Sequence, residues 1–337
     1  MAPIRAPSPP DPRASNASDA TDGAATDGTT QAAADATTTP PPCPPEARDC
    51  SDVPWPKSWT RYPIVLVHGA AGFDTVGPYG YWFGIADALH DAGFAVHVAQ
   101  TDPFTTSEVR AAQLAAYVDH ILACTCRQRV NLVAHSQGGL DARYLVSTLH
   151  YGDRVASLTT IATPHRGTQV ADVALGLMPG PIDDAIDALL AVAGALYAEP
   201  EQWPDVAGQV AQMTTAGAEA FNAANPDDPA VAYYSWAGWA GLDDSGQPDC
   251  TDAETPPPPH AGPLLPVLWP TYLLLGGADG VANDGLVTVA SARWGRFRGC
   301  IPADHLREVG QPAGLTGAFD HVAFFLDLAA FLQAEGF

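Results

Sequence analysis

Ser136 lies in the run Val130-Asn131-Leu132-Val133-Ala134-His135-Ser136-Gln137-Gly138-Gly139-Leu140, where an apolar segment meets a serine and a glycine pair. A helix-like pattern follows through Asp141, Arg143, Tyr144 and Leu145. That order is the sequence form of a nucleophile elbow, a serine held on a strained strand-to-helix turn. Small residues two before and two after the serine let the chain pass close to itself. Ala134 and Gly138 fill those places, giving A-x-S-x-G, and alanine is the smallest side chain that still packs closely. An ordinary strand–turn–helix with Ser136 as a capping residue would share the pentapeptide, so the rest of the chain decides.

Serine becomes a competent nucleophile when a neutral imidazole takes its proton, and that imidazole needs a carboxylate to fix its tautomer. Where such an elbow serves catalysis, the chain order is serine, acid, histidine. After Ser136 the chain offers His150, His165, His260, His305 and His321. His150 follows the elbow too closely, His165 precedes every suitable acid, and His260 sits in a proline-rich loop. His305 stands in a loop-like context after Cys300-Ile301-Pro302-Ala303, whereas His321 opens an apolar helix and has a capping or core role open to it. Among the acids Asp284, flanked by Asn283 and Gly285, is preferred to Asp279, a credible turn residue.

Acyl transfer places negative charge on the carbonyl oxygen, so two backbone N–H groups must already point at it. Gln137, next after the serine, is one candidate. The other lies at the end of Tyr62-Pro63-Ile64-Val65-Leu66-Val67, an apolar run of strand length. It opens into His68-Gly69-Ala70-Ala71-Gly72-Phe73-Asp74, where Ala70 takes the second oxyanion position. His68, Gly69 and Ala71 are expected to border the substrate.

The elements that must position these groups alternate. Tyr81–His90 reads as a helix with Trp82, Ile85, Ala86 and Leu89 on one face, and Gly93–Val98 as a strand. Thr105-Thr106-Ser107-Glu108 opens a helix carrying Val109, Leu114, Tyr117, Val118, Ile121 and Leu122. Strands follow at Val155–Ile161 and Val231–Trp236. Thr271–Leu275 is expected as another strand, leading toward Asp279 and Asp284, and a helix spans Val322–Leu332. This alternation predicts an α/β fold with a mostly parallel sheet and helices on both faces. Between about 168 and 228 the pattern is helical, with Ile182, Ile186, Leu189, Leu190, Val192 and Leu196 as an apolar series. A lid or cap and a buried core pair fit it equally.

Residues 1–50 are rich in Ala, Pro, Thr, Asp and Ser with almost no larger aliphatic or aromatic residue, so they are expected to form a disordered linker before a catalytic domain at 51–337. Hydrophobic residues make up 47 % of the 337, enough for a sizeable core. The net charge of −23 repels phosphate backbones and anionic headgroups, which argues against nucleic acid and leaves a neutral substrate unopposed. Six cysteines, none in a two-pair metal spacing, suggest disulfides in an oxidising compartment. The expected pairs are Cys250 with Cys300 and Cys43 with Cys50, leaving Cys124 and Cys126 to bond each other or stay free. No charged-then-apolar leader opens the chain. A secreted or cell-surface protein given without its export signal is the expectation.

The blocks Tyr62 to Asp74, Tyr81 to Ile85, Thr106 to Arg110, Val130 to Gly139, Thr163 to Gly167, Tyr234 to Trp236, Asn283 to Val287 and His305 to Gln311 together resemble the bacterial true lipases of the Pseudomonas lipase family, within the α/β-hydrolases. The resemblance covers most of residues 60–315. It implies an α/β-hydrolase fold with Ser136 as nucleophile, Asp284 as acid and His305 as base, and oxyanion positions at Ala70 and Gln137. It also implies a lipid–water interface and a triacylglycerol lipase, with an esterase or acyltransferase on shorter or polymeric esters as the alternative. A monomer is expected, and the need for a folding chaperone stays open. In that family calcium braces the histidine loop through an aspartate two residues past the histidine and a second one upstream of the acid. Here the first position is Arg307, the stretch 262–266 has no aspartate in register, and Gln311 alone matches the ligand set. No metal or other cofactor is therefore expected, with Arg307 pairing instead with Glu308, Asp304 or Asp320.

Overall fold

The computed structural model describes residues 50, 53, 59–70, 72, 75–76, 79–180, 205–242 and 250–337. The expected linker up to residue 49, Ala71, and the apolar series Ile182 to Leu196 lie outside these residues. Six strands form one parallel sheet among them: β1 (Ile64–Val67), β2 (Val96–Ala99), β3 (Val130–His135), β4 (Val155–Ile161), β5 (Ala232–Gly238) and β6 (Arg296–Ile301), in the order β2-β1-β3-β4-β5-β6. Every residue of β1, β3 and β4 is buried, as strands covered on both faces must be.

Strand alternation divides the core in two. Ile64, Leu66, Val96, Val133 and Ile161 face one layer, where α1 (Ile85–Asp91) supplies Ile85 and Leu89, and α9 (His321–Ala334) supplies Phe325, Leu328, Ala329 and Leu332 at helical spacing. Val65, Val67, Leu132, Ala134 and Leu158 face the other layer. There α2 (Ser107–Thr125) presents Ala111, Leu114, Val118 and Ile121, and α3 (Gly138–Ser147) presents Ala142, Leu145 and Val146. The helix expected from Tyr81 starts only at Ile85, because Gly84 has a left-handed φ of 69° that the first helical turn cannot contain.

Two expectations are corrected. Thr271–Leu275 belongs to no strand: α7 (Trp269–Leu274) is a short helix with a proline in its first turn, where the missing N–H costs nothing. The last strand is instead β6, in which Arg296 is exposed and Phe297, Gly299, Cys300 and Ile301 are buried. Cys50 bonds Cys124, not Cys43, tying the start of the described chain to the end of α2 across 74 positions. Cys126 is also disulfide-bonded, and Cys250 bonds Cys300 as expected.

The region expected as a lid is described in part. Helices α4 (Gln169–Ala174), α5 (Val206–Gln212) and α6 (Thr215–Ala224) pack through Ala171, Val210, Met213 and Phe221 onto Leu140 of α3. Asp172 accepts from the N–H and hydroxyl of Thr215 at 3.0 and 2.6 Å, tying α4 to α6. A four-residue helix, α8 (Val289–Ala292), precedes β6.

Candidate active site

The carboxyl ends of the parallel strands carry the loops that converge, as open α/β sheets require. At the end of β3, Ser136 has a φ of 55°, a region that non-glycine residues avoid. Two bonds hold the turn there: the Ser136 N–H donates to Ile161 O at 2.9 Å, and the Thr163 hydroxyl donates to Ser136 O at 2.7 Å. Such strain persists only where surroundings over-determine it. The elbow is also crowded, since a Cβ on Gly138 would lie 2.6 Å from the carbonyl oxygens of both Val67 and His68.

His305, in the loop after β6, has Nε2 2.9 Å from the Ser136 Oγ and Nδ1 2.8 Å from the Asp284 Oδ2. Asp284 precedes α8, and its Oδ1 accepts the N–H groups of Leu286 and Val287 at 2.8 and 2.7 Å. The His305 N–H donates to Asp284 O at 3.0 Å, so acid and base are joined through backbone as well as side chain. Ser136, Asp284 and His305 are 5 %, 0 % and 1 % exposed, dry enough for their hydrogen bonds to act at low dielectric. His321, the other candidate base, is placed elsewhere. It sits in the first turn of α9, with Nε2 donating to Phe83 O, while Asp320 caps the helix through Ala323 N.

Gly69, the residue before Ala70, packs against the elbow so closely that a Cβ there would lie 2.7 Å from the Cβ of Ser136. Among the described residues neither the Ala70 nor the Gln137 N–H has a protein acceptor. The Gln137 side chain is fixed by donating to Thr105 O at 3.1 Å and accepting from Gln209 of α5 at 2.7 Å. His68, expected at the substrate, is only 1 % exposed. Its Nδ1–H donates to Gly69 O at 2.9 Å and its Nε2 accepts the Thr101 N–H at 3.2 Å. Burial, helped by the Arg110 charge, lowers its pKa to about 3, so the ring stays neutral and braces the loop.

Several further groups hold the site. Arg110 of α2 is fully buried. It donates from Nε to Asp141 Oδ2 at 2.7 Å, from Nη2 to the carbonyls of His68 and Gly69 at 2.8 and 3.1 Å, and from Nη1 to Asp102 O at 2.5 Å. The same helix face bears Leu114, Val118 and Ile121, so a charged residue on an apolar stripe was the available signal. Behind the triad runs a second chain. The Gly69 N–H can only donate, so the Tyr81 hydroxyl accepts it at 3.1 Å and gives its own proton to Nδ1 of His135 at 2.6 Å. Nε2–H of His135 then donates to Glu308 Oε2 at 3.0 Å. Burial, with His305 beside it, holds His135 well below the usual imidazole range, and burial, with Asp284 and Asp304 nearby, holds Glu308 well above the carboxylate range. Tyr81 and Glu308 stand in blocks that carry the family resemblance, but their pairing joins segments far apart in the chain and has no local pattern.

Among the described residues His135, His305 and Glu308 form one cluster of metal-ligand type. Both histidines of the cluster take part in the hydrogen bonds above.

The topology and elbow define an α/β hydrolase, and the model of the α/β hydrolase fold family matches residues 62–202. Triacylglycerol lipase from Vibrio cholerae is 33 % identical over 281 residues, covering 77 % of this chain and 83 % of its own. Triacylglycerol lipase from Pseudarthrobacter phenanthrenivorans is 32 % identical, covering 77 % and 92 %. The crystal structure of Staphylococcus hyicus lipase superposes with a TM-score of 0.60 at 18 % identity, over 82 % of this chain and 97 % of that one. The chain belongs to the bacterial triacylglycerol lipase family of the α/β hydrolases.

Proposed function

We propose that the protein hydrolyses carboxylic esters of acylglycerols through an acyl-enzyme on Ser136. The observation that carries this reading is the unbroken line from Ser136 Oγ through His305 to Asp284, with links of 2.9 and 2.8 Å. Ser136 Oγ attacks the ester carbonyl while His305 Nε2 takes its proton. Asp284 keeps the proton of Nδ1 in place and stabilises the imidazolium. The oxyanion is received by the N–H groups of Ala70 and Gln137, His305 protonates the departing alcohol, and water activated by the same imidazole releases the acid. Membership of a family whose relatives are named triacylglycerol lipase supports the neutral ester substrate, and the net charge of −23 would oppose an anionic one. The disulfides Cys50–Cys124 and Cys250–Cys300 support a secreted or cell-surface location. No helix among the described residues is long and apolar enough to cross a membrane.

The test is hydrolysis of p-nitrophenyl esters of increasing chain length and of emulsified triolein, by wild type and Ser136→Ala. The expected result is activity on long chains and triolein that vanishes in the variant. Activity confined to short soluble esters would make the protein an esterase, and unchanged activity in Ser136→Ala would end the proposal.

A further inference from the structure

One charged side chain beside the triad takes no part in the chemistry yet joins three segments around it. Arg307, two residues beyond His305, donates from Nη1 to Pro263 O at 2.8 Å and to Asp304 Oδ2 at 2.8 Å, and from Nε to Leu315 O at 3.1 Å. Its side chain is 15 % exposed and that of Asp304 is fully buried. Asp304 Oδ2 also accepts the N–H of Leu265 at 2.9 Å, while Oδ1 accepts those of Leu306 and Arg307 at 3.2 and 3.0 Å. A carboxylate and two carbonyl oxygens, from three separate stretches of chain, therefore converge on one cation that is part of the chain.

Oxygen donors gathered in this way commonly hold a divalent ion, which takes six to eight of them at about 2.3–2.6 Å. The residues here do not fit one, because the guanidinium already occupies the shared acceptors and its charge repels a second cation. A guanidinium suits the arrangement in a way that an ammonium would not. Its planar fork directs donors at several oxygens at once, and it stays charged at any working pH.

We propose that Arg307 is a positioning residue that does the work of a metal ion: it clamps Asp304, and through it the neighbouring His305, making the triad independent of divalent cations. The inference rests on the triad reading and concerns how its base is held. With the clamp gone, a buried carboxylate faces two carbonyls unscreened, and His305 is free to move relative to Ser136. A displacement near 1 Å costs on the order of 100-fold in rate.

The test uses the full chain with p-nitrophenyl butyrate, comparing wild type, Arg307→Ala and Arg307→Asp in EDTA and in calcium chloride, with Ser136→Ala alongside. Wild type is expected to give the same kcat in both media. Arg307→Ala is expected to lose roughly 10- to 100-fold in kcat with little change in KM. Millimolar methylguanidinium should restore part of the loss, and sodium chloride at equal ionic strength should not. Arg307→Asp sets a second carboxylate beside Asp304 and the two carbonyls, so its activity should be low in EDTA and rise with calcium. A wild type that loses activity in EDTA and regains it with calcium would overturn the proposal, as would Arg307→Ala retaining wild-type kcat. Should Arg307→Ala fail to fold, the calcium responses of wild type and Arg307→Asp decide: a metal-insensitive wild type with a calcium-activated Arg307→Asp upholds the clamp, and the reverse removes it. Activity surviving in Ser136→Ala would instead count against the triad reading, whatever Arg307 does.

Discussion

Asp284→Asn is expected to lower kcat by roughly 10⁴-fold while KM and the thermal midpoint change little. The size of the effect follows from what surrounds the carboxylate. Oδ1 accepts two backbone N–H groups, from Leu286 and Val287, and Oδ2 faces Nδ1 of His305. An asparagine must keep its oxygen toward the two fixed donors, because its NH2 group placed there would meet N–H with N–H. The NH2 group is thereby turned toward His305 and forces Nδ1 to accept. The proton moves to Nε2, where it points at Ser136 Oγ and removes the general base. Steady-state kinetics on a soluble ester, paired with a melting curve, measures both halves of the claim. A loss below about tenfold would show that Asp284 does not set the tautomer.

Arg110→Met is expected to destabilise the fold by about 3–5 kcal/mol and to lower activity further than stability alone explains. The first effect arises because Asp141 and Arg110 are both fully buried, so the substitution strands a carboxylate in the interior. Burial already raises the Asp141 pKa and the Arg110 charge opposes that, so the lone acid would take up a proton more readily still. The second effect arises because the same guanidinium holds the carbonyls of His68 and Gly69, which set the direction of the Ala70 N–H. The double substitution Arg110→Met with Asp141→Leu separates the two: it should recover most of the stability and little of the kcat. Denaturant unfolding and kinetics on the same samples provide the check. Recovery of both together would mean that Arg110 serves packing alone.

Features governed by local chemistry could be read directly from the residues. The elbow was legible because a strained turn demands small residues on both sides of the serine, and Ala134 and Gly138 supply them. Strands β1, β3 and β4 were legible because burial on both faces leaves an unbroken apolar run. Residue type and chain order single out Ser136, Asp284 and His305, and the fold brings their side chains within hydrogen-bond distance. What stayed hidden depended on distant partners. The leucine-rich stretch Thr271–Leu275 looks the same as a buried strand or a short helix, and the proline at the first turn of α7 was the one local sign of the latter. Strand β6 was obscured by Arg296 and Arg298, whose charges are met by Glu254 from another loop. Cys50 finds Cys124 and not its sequence neighbour because Cys50 and Val53 pack in the cluster that holds the end of α2, a proximity that only the folded sheet creates. Glu308 and His135 sit 173 positions apart, and no spacing rule links them.

The most direct test of the central claim is to treat the protein with a p-nitrophenyl alkylphosphonate, follow release of p-nitrophenol against loss of esterase activity, and locate the adduct by peptide mass spectrometry. One adduct per chain on the peptide containing Ser136, formed in step with the loss of activity and absent from Ser136→Ala, is the predicted result. An adduct on another residue, or full activity remaining after Ser136 is modified, would contradict it.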